Sequence, residues 1–269
     1  MKYILRFISL STVISFLFLS ACVGLPKSAG ENSTVNLLTY NVRNCKGMDD
    51  VINFDRVAAV INKAGVECVA IQELDSGTQR ANGLSVLHEL AKRTNMIPTY
   101  RSSIDYQGGK YGIGMLTKEK PLSVQSFSLP GREEKRSFLV VEMRNYIFCC
   151  THLSLTPADQ LTSIGIINSE LSNFKNKPVI LAGDLNAEPQ SEELIKFTEN
   201  WQILNDTSIQ TFPADKPNRC IDYFLVKKGL DFTVKTVKTS VIDEQMASDH
   251  RPVYLKVKIV AKTSSFANQ

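Results

Sequence analysis

Residues 179–186 read VILAGDLN, an apolar run followed by a glycine, a carboxylate and an amide. The apolar run predicts a buried strand. Residues two apart in an extended chain project to the same side, so Asp184 and Asn186 would stand side by side. Gly183 would permit another group to approach the backbone closely. A carboxylate in this position can orient or deprotonate a water and an amide can donate to a phosphate oxygen, although the same residues could also form an Asx turn.

Polar residues recur at other predicted strand ends, directly before or after apolar runs. Strand ends are where α/β folds place ligand sites. The residues are Asn41, Glu73, His152, Asp222, Asp249 and His250. Each alone is also typical of a turn or a solvated loop, but together with Asp184 they predict one polar site. The third histidine, His88, lies in a predicted helix, and we expect it to be at the surface or partly buried, without a role.

The pairing of an acid with a histidine at Asp249 and His250 indicates the kind of chemistry. Mg²⁺ takes oxygen ligands and keeps several waters, so one or two carboxylates suffice to bind it, and Glu73 with Asp249 would match. Asp222 could accept a hydrogen bond from one ring nitrogen of His250 and so fix which nitrogen faces a substrate. The chain has no G-x-S-x-G motif, which would have favoured a serine hydrolase. Phosphoester hydrolysis therefore fits better than acyl transfer.

The hydrophobic periodicity predicts an α/β (α+β) chain in which strands dominate. Predicted strands cover 35–41, 68–72, 111–117, 122–129, 137–143, 146–150, 179–182, 221–226, 232–241 and 252–259. Predicted helices cover 55–64, with Asp55 as a cap, 84–92, 157 to about 174, and 191–199. Consecutive strands without helices imply antiparallel pairs, which disfavours a purely parallel sheet. Two packed sheets with helices outside would fit this order.

The first residues are typical of a targeting segment. Lys2 and Arg6 precede an apolar run over 7–19, and the run ends at the tetrapeptide LSAC. A secretory signal has this organisation, whereas a spanning helix needs about 20 apolar residues. LSAC resembles a bacterial lipobox, which implies a lipoprotein signal peptide over 1–21 and acylation of Cys22. The alternatives are a plain signal peptide or a single N-terminal helix.

These features predict the domain organisation and the location of the protein. Residues 22–34 would be a lipidated tether, because they include Pro, Gly, Ser and Asn, and residues 261–269 a C-terminal tail. A single catalytic domain would occupy 35–260. The protein would then be an exported bacterial lipoprotein, periplasmic or at the cell surface, and anchored to a membrane, with Val23 resembling an outer-membrane sorting signal.

Charge and cysteine content exclude little but disfavour two classes. The formal net charge is +4 and no dense Lys/Arg cluster occurs, so a strong nucleic-acid binder is not favoured. Five cysteines remain besides Cys22, an odd number without a CxxC pair, which indicates neither a disulfide framework nor a cysteine zinc site. We expect buried free thiols, with Cys149 and Cys150 on opposite faces of one strand.

Taken in order, the motifs resemble those of the endonuclease/exonuclease/phosphatase (deoxyribonuclease I-like) superfamily. The matching pieces are Thr39-Tyr40-Asn41, Gln72-Glu73, Lys110-Tyr111-Gly112-Ile113-Gly114, Thr151-His152-Leu153, Gly183-Asp184-Leu185-Asn186, Ile221-Asp222-Tyr223 and Ser248-Asp249-His250. The resemblance implies a four-layer α/β/β/α sandwich with two mixed, mainly antiparallel β-sheets. It also implies a Mg²⁺ (or Mn²⁺) ion held chiefly by Glu73, with Asn41 beside it and Asp249 completing or sharing the site.

The resemblance further implies roles for the residues around the ion. Asp184 would position and activate the attacking water, and Asn186 and His152 would contact the phosphate. His250, oriented by Asp222, would stabilise charge on the phosphoryl oxygens or transfer a proton. Whether Asp184 or His250 is the base stays open at this point.

Two further positions complete the implied site. Tyr111 would line it, and Arg43 departs from the nucleolytic apurinic members, which carry an acid there. Because Arg prefers bidentate phosphate contacts, Arg43 is predicted to bind substrate. This favours a phosphatase or phosphodiesterase acting on a small or lipid-linked phosphoester. The alternatives are an endo- or exonuclease on DNA or RNA, and a non-catalytic surface binding lipoprotein; the sequence does not predict an oligomeric state.

Overall fold

A computed structural model describes residues 33–261 of the chain. The predicted signal peptide and Cys22 lie outside these residues, as do all but two residues of the predicted tether and all but one of the predicted tail. The described strands are β1 (Ser33–Asn41), β2 (Cys68–Ser76), β3 (Ile97–Tyr106), β4 (Gly109–Thr117), β5 (Ser123–Leu129), β6 (Arg136–Glu142), β7 (Ile147–His152), β8 (Val179–Asp184), β9 (Trp201–Ile203), β10 (Asp222–Lys227), β11 (Phe232–Val241) and β12 (Val253–Ala261). The described helices are α1 (Phe54–Ala64), α2 (Val86–Thr94), α3 (Pro157–Glu170) and α4 (Glu192–Asn200).

The strands form two six-stranded sheets. The first has the order β11-β12-β1-β2-β4-β3 and the second the order β5-β6-β7-β8-β10-β9. The pairs β1–β2 and β7–β8 are parallel, and the other neighbouring pairs are antiparallel. The prediction of two mixed, mainly antiparallel sheets is therefore confirmed.

Alternating side chains divide the interior into three apolar clusters. Leu37 packs in the cluster shared by both sheets, whereas its neighbour Leu38 packs in the cluster beneath α1 and α2. In the second sheet, Cys150 faces the first sheet and Cys149 faces α3 and α4. This follows from the two-residue period of a strand. The sheets thus pack against each other with helices outside, as the predicted four-layer sandwich requires.

The helix limits differ from the predictions by a few residues. Helix α1 is capped by Asn53, whose side chain accepts from the backbone of Arg56 at 3.0 Å, so the predicted cap at Asp55 was wrong. Asp55 instead lies in the first turn and pairs with Arg93. Helix α3 begins at Pro157 as predicted but ends at Glu170, about four residues before the predicted limit.

Two strands were not predicted. β3 has neither an apolar run nor clear alternation, because it lies at the edge of the first sheet and every residue of it is at least partly exposed. β9 has three residues, too few for a periodic signal. β3 pairs with β4 along nearly its whole length, so its position depends on tertiary pairing rather than on its own pattern.

The cysteines within the described residues are free and buried, as predicted. Burial raises the pKa of each of their thiols, to about 12 for Cys68 and for Cys150. They are therefore poor nucleophiles and act as apolar core residues. Within residues 33–261, none of the helices has the length and apolar character needed to cross a membrane.

Candidate active site

The first sheet contributes Asn41 and Glu73 from neighbouring parallel strands. Asn41 is the last residue of β1 and lies opposite Gln72 of β2. Glu73 follows at a β-bulge, where the register between β2 and β4 shifts, and its φ is 60°. A bulge redirects a side chain out of the regular alternation. The left-handed backbone costs of order 1 kcal/mol for a residue other than glycine, so other contacts must hold Glu73 in this conformation.

The second sheet contributes a row of three polar residues. His152 of β7 lies opposite Asp184 of β8 in a parallel pair, and Asp222 of β10 lies opposite Asp184 in an antiparallel pair. Gly183 has Thr151 O of the adjacent strand only 2.0 Å from where its Cβ would be, which is the close approach that the sequence predicted. The strand register therefore brings these side chains together.

The Asn41 amide joins the two halves of the site. Its Nδ2 donates to Glu73 Oε1 at 2.9 Å and to Asp184 Oδ2 at 3.1 Å, and lies 3.4 Å from His250 Nε2. The side chain is fully buried, and its Oδ1 accepts from the Arg43 backbone at 3.1 Å. The loop that carries His250 is fixed to β1, because Ser248 Oγ donates to Asn41 O at 2.7 Å.

His250 is oriented by a carboxylate, as predicted. Its Nδ1 lies 2.9 Å from Asp222 Oδ2, and its Nε2 lies 3.6 Å from Asp184 Oδ2. Phe212 packs against the imidazole with ring centroids 4.7 Å apart. Burial by itself would lower the pKa of His250, but the carboxylates of Asp222 and Asp184 outweigh it and raise that pKa to about 10. His250 can therefore carry positive charge inside the site.

Asp184 lies between the two imidazoles. His152 Nε2 is 3.5 Å and His250 Nε2 is 3.6 Å from its Oδ2. Burial raises the pKa of Asp184 to about 7, against the opposing effect of His250. A carboxyl group that titrates near neutral pH can accept a proton from water and release it again.

Asn186 reaches the site by a different route from the one predicted. It is not extended, because its φ is 51°, and its backbone N–H donates to Asp184 Oδ1 at 3.0 Å, which makes an Asx turn. The amide Nδ2 donates to Leu153 O at 3.0 Å. The side-by-side geometry expected from an extended chain was therefore wrong, although Asn186 still lines the cavity.

A cavity of about 360 Å³ opens over these residues. The residues that line it are Glu73, Tyr111, Glu133, Glu134, Arg136, His152, Leu155, Asp184, Asn186, Phe212, Arg219, Ile221, Asp249 and His250. Tyr111 lies where it was predicted, and burial followed by Glu73 raises its pKa well above the usual value. Asn41 and Asp222 lie directly behind this lining and contact it through Glu73 and His250.

Arg43 does not line the cavity. Its guanidinium lies 3.6 Å from Asp249 Oδ2 and 3.7 Å from Asp50 Oδ1. Arg43, Asn44 and Cys45 all have left-handed φ values, between 44° and 58°, in the tight turn that follows β1. The structure thus places Arg43 beside a predicted metal ligand rather than in the cavity, and its substrate contact stays a prediction.

Arg136 was not predicted as a site residue. It is 5% exposed, and its Nη1 lies 2.7 Å from Glu134 Oε1 and 3.2 Å from His152 Nδ1. Burial, followed by the charge of Arg136, lowers the pKa of His152 well below its usual value. The sequence signal was the REEKR stretch over 132–136, which ends where β6 begins, but its mixed signs are equally typical of a solvated loop.

Two groups of side chains could hold a divalent cation. The predicted group is Asn41, Glu73 and Asp249, whose donors are hard oxygen atoms of the type that Mg²⁺ prefers. Glu73 and Asp249 line the cavity, and the structure gives the Glu73 carboxylate one hydrogen-bond donor, the Asn41 amide. These residues therefore fit a hard divalent cation.

The second group is Asp184, Asp222 and His250, each with one ligand atom within 4.8 Å of the others. All three are buried, and His250 Nδ1 already lies 2.9 Å from Asp222 Oδ2. A cation bound through those two atoms would separate this pair. The oxygen donors on the Glu73 side are the better fit to a hard cation.

Comparison with known proteins gives one family and a common fold. The model of the "Endonuclease/Exonuclease/phosphatase family" matches residues 38–250. Among curated proteins, none matches the chain. Among solved structures, an endonuclease/exonuclease/phosphatase from Beutenbergia cavernae is 18% identical and has a TM-score of 0.68, with 84% of this chain and 72% of that chain covered.

Two further solved structures carry more specific names. The Bacteroides thetaiotaomicron mannosyl-6-phosphatase is 17% identical with a TM-score of 0.65, covering 84% of this chain and 99% of that chain. The D. rerio TDP2 complexed with single strand DNA product is 16% identical with a TM-score of 0.65, also covering 84% of this chain and 99% of that chain. At these identities the likeness establishes the sandwich fold alone.

Proposed function

The chain belongs to the endonuclease/exonuclease/phosphatase family, whose members are hydrolases, and on that premise we propose that it is a divalent-metal-dependent phosphoester hydrolase. The observation that carries this proposal is the Asn41 amide, which joins Glu73 of one sheet to Asp184 of the other. The same amide group contacts both the Glu73 carboxylate, which is suited to a hard cation, and the Asp184 carboxylate, which is suited to activating water. Phosphoryl transfer needs these two elements, charge neutralisation and a positioned nucleophile.

We infer that Glu73 and Asn41 hold a Mg²⁺ (or Mn²⁺) ion, with Asp249 completing its ligands. Bound there, a divalent cation supplies neutralisation of the charge on the phosphoryl oxygens. Glu73 is partly exposed to the cavity and Asn41 is fully buried behind it, so the amide holds the carboxylate in place. When no cation is bound, the positive Arg43 guanidinium partly offsets the negative charge of Asp249.

The geometry supports Asp184 as the residue that orients the attacking water and takes its proton. Its Oδ2 is faced by both imidazoles and by the Asn41 amide, which fix its orientation. His250 is paired with the Asp222 carboxylate, which favours the charged imidazolium, so His250 would stabilise the phosphoryl oxygens. His152, the other imidazole that faces Asp184, would donate a hydrogen bond to the phosphate.

The cavity favours a compact substrate. Besides Glu73, Asp184 and Asp249, two more carboxylates line it, Glu133 and Glu134, and both are paired with Arg136. A small phosphoester could bind these carboxylates through its hydroxyl groups, whereas a polyanion such as DNA would bring several phosphates towards them. We therefore propose a phosphatase or phosphodiesterase acting on a small or lipid-linked phosphate, with a nuclease as the alternative that the same assay tests. We also propose export and lipid anchoring through Cys22.

A substrate panel tests this function. The purified protein, stripped of metal, is assayed with and without Mg²⁺ and Mn²⁺ on a phosphomonoester, bis(p-nitrophenyl) phosphate, plasmid DNA, sphingomyelin and inositol phosphates. We expect metal-dependent turnover of a small or lipid-linked ester, abolished in Glu73→Ala. Glu170→Ala, at the exposed end of α3, is the matched control and should retain activity. DNA cleavage alone would favour the nuclease, and inactivity with every substrate and both metals would contradict the hydrolase proposal.

A further inference from the structure

The two histidines of the site have opposite partners on the ring nitrogen that points away from the cavity. His250 Nδ1 lies 2.9 Å from the carboxylate of Asp222. His152 Nδ1 lies 3.2 Å from the guanidinium of Arg136. Both Nε2 atoms face Asp184, at 3.6 Å for His250 and 3.5 Å for His152. The two imidazoles therefore differ in the partner of Nδ1. That difference determines what each Nε2 can do.

A guanidinium has only donors and does not lose its proton in proteins. His152 Nδ1 can therefore bond to Arg136 only as an acceptor, through its lone pair. In a neutral imidazole with one proton, the proton must then be on Nε2. A second proton on Nδ1 would break this hydrogen bond and place two cations together in a buried site. The pKa of His152, which burial and then Arg136 lower well below its usual value, agrees with this geometry.

The guanidinium is held in this orientation by two acids. Nη2 donates to Glu133 Oε1 at 3.2 Å, and Nη1 lies 2.7 Å from Glu134 Oε1. Glu133 in turn accepts from Leu155 N at 2.7 Å and from Ser154 Oγ at 2.9 Å, in the segment that follows His152. Burial of the guanidinium in this paired arrangement restricts its rotation.

We propose that Arg136 is a positioning residue that holds His152 as the neutral Nε2–H tautomer, so that His152 serves only as a hydrogen-bond donor to the substrate phosphate. His250 has the opposite arrangement, because its Nδ1 lies 2.9 Å from the Asp222 carboxylate, which can accept a hydrogen bond from a protonated Nδ1. The site then contains one imidazole that can be charged, that of His250, and one that stays neutral, that of His152. The catalytic part of this inference rests on the proposed function, whereas the tautomer does not.

The tautomer can be measured directly. Long-range ¹H–¹⁵N spectra of the metal-free wild-type protein distinguish a protonated from an unprotonated ring nitrogen, with His152 assigned through His152→Gln. We expect protonated Nε2 and unprotonated Nδ1 for His152, unchanged as the pH falls from 8 to 5. An Nδ1–H tautomer, or protonation of His152 within that range, would overturn the proposal whether or not the protein proves to be a hydrolase.

Variants of Arg136 test the cause. Arg136→Lys keeps a donor and should keep the Nε2–H tautomer, whereas Arg136→Met should give mixed tautomers and a His152 that protonates at higher pH. An unchanged His152 spectrum in folded Arg136→Met would mean that Arg136 does not set the tautomer. If Arg136→Met does not fold, the wild-type spectrum and the Arg136→Lys variant decide.

Kinetics test the role of the donor. Loss of one donor to a phosphoryl oxygen lowers kcat by about 10²–10³, and we expect this loss in His152→Ala with little change in KM. His152→Gln, whose amide donates without proton chemistry, should recover part of that loss. Equal kcat values in His152→Gln and His152→Ala would contradict a pure donor role.

Discussion

At the scale of single residues, the site depends on where protons and charges can reside. The NH₂ group of Asn41 donates to Glu73 and Asp184 and lies 3.4 Å from His250 Nε2, so one neutral donor serves two carboxylates. A carboxylate at this position would face two others without a proton between them and would destabilise the site. The amide therefore lets acids from two sheets lie close together in a buried environment.

The ion pair between His250 and Asp222 leads to a prediction about pH. In the metal-free protein, His250 should keep both ring protons until the pH approaches about 10, since Asp222 and Asp184 outweigh the effect of burial on its pKa. A folded-state pKa above the unfolded value of about 6.5 means that this pair stabilises the fold fully below pH 6.5. The stabilisation is lost as the pH rises through about 10.

An NMR titration of the His250 ring checks this. In Asp222→Asn the largest opposing charge is removed, so we expect His250 to titrate at a lower pH, and kcat to fall by up to about 10⁴-fold, as for other histidines deprived of an orienting carboxylate. Asp231→Asn, on an exposed turn before β11, is the control and should change neither value. A wild-type His250 that is already neutral at pH 8 would contradict the assignment.

At the scale of elements, strand register does most of the positioning. The parallel pair β7–β8 places His152 opposite Asp184, and this depends on Gly183, because Thr151 O lies 2.0 Å from where a Cβ would be. A backbone oxygen cannot move aside as a flexible side chain could. Any side chain at residue 183 would therefore separate β7 from β8 at the point where both strands end in the site.

Gly183→Ala should consequently reduce both stability and activity. Overpacking of a buried site typically costs about 1–3 kcal/mol, and we expect a loss of free energy of unfolding of at least this order, together with a lower kcat. Urea denaturation and steady-state kinetics measure the two effects. Gly165→Ala, in α3, is the matched control, since nothing lies within 4 Å of its added Cβ. Unchanged stability in Gly183→Ala would show that β7 and β8 do not approach this closely.

Elements also show how far sequence reasoning reaches. The polar residues at strand ends could be predicted, because they directly follow or precede apolar runs and both are visible in the chain. The role of Arg136 could not, since it depends on Arg136 meeting His152 and Glu134 in the folded chain. The same is true of edge strand β3, whose residues acquire their pairing from β4. For Asp184 and Asn186 the sequence allowed either an extended chain or an Asx turn. The left-handed backbone at Asn186 shows that the turn forms.

At the scale of the whole molecule, the polar residues at the strand ends of both sheets lie on the same side of one sandwich. The first sheet brings Asn41 and Glu73, the second brings His152, Asp184 and Asp222, and the loop before β12 adds Asp249 and His250. In the proposed mechanism, neither sheet alone supplies both the cation-binding group and the water-activating group. Activity would therefore require the two sheets to pack together. Variants that weaken the core between the sheets should lose cation binding and water activation together.

The position of a bound cation would show whether the two sheets assemble a metal-dependent site with the ion on the Glu73 side. A crystal soaked with Mn²⁺ locates the ion by anomalous scattering. We expect a peak within ligand distance of Glu73 and Asn41, with Asp249 adjoining, and no peak in Glu73→Ala. A peak held instead by Asp184, Asp222 and His250, or no peak at saturating Mn²⁺, would contradict this expectation.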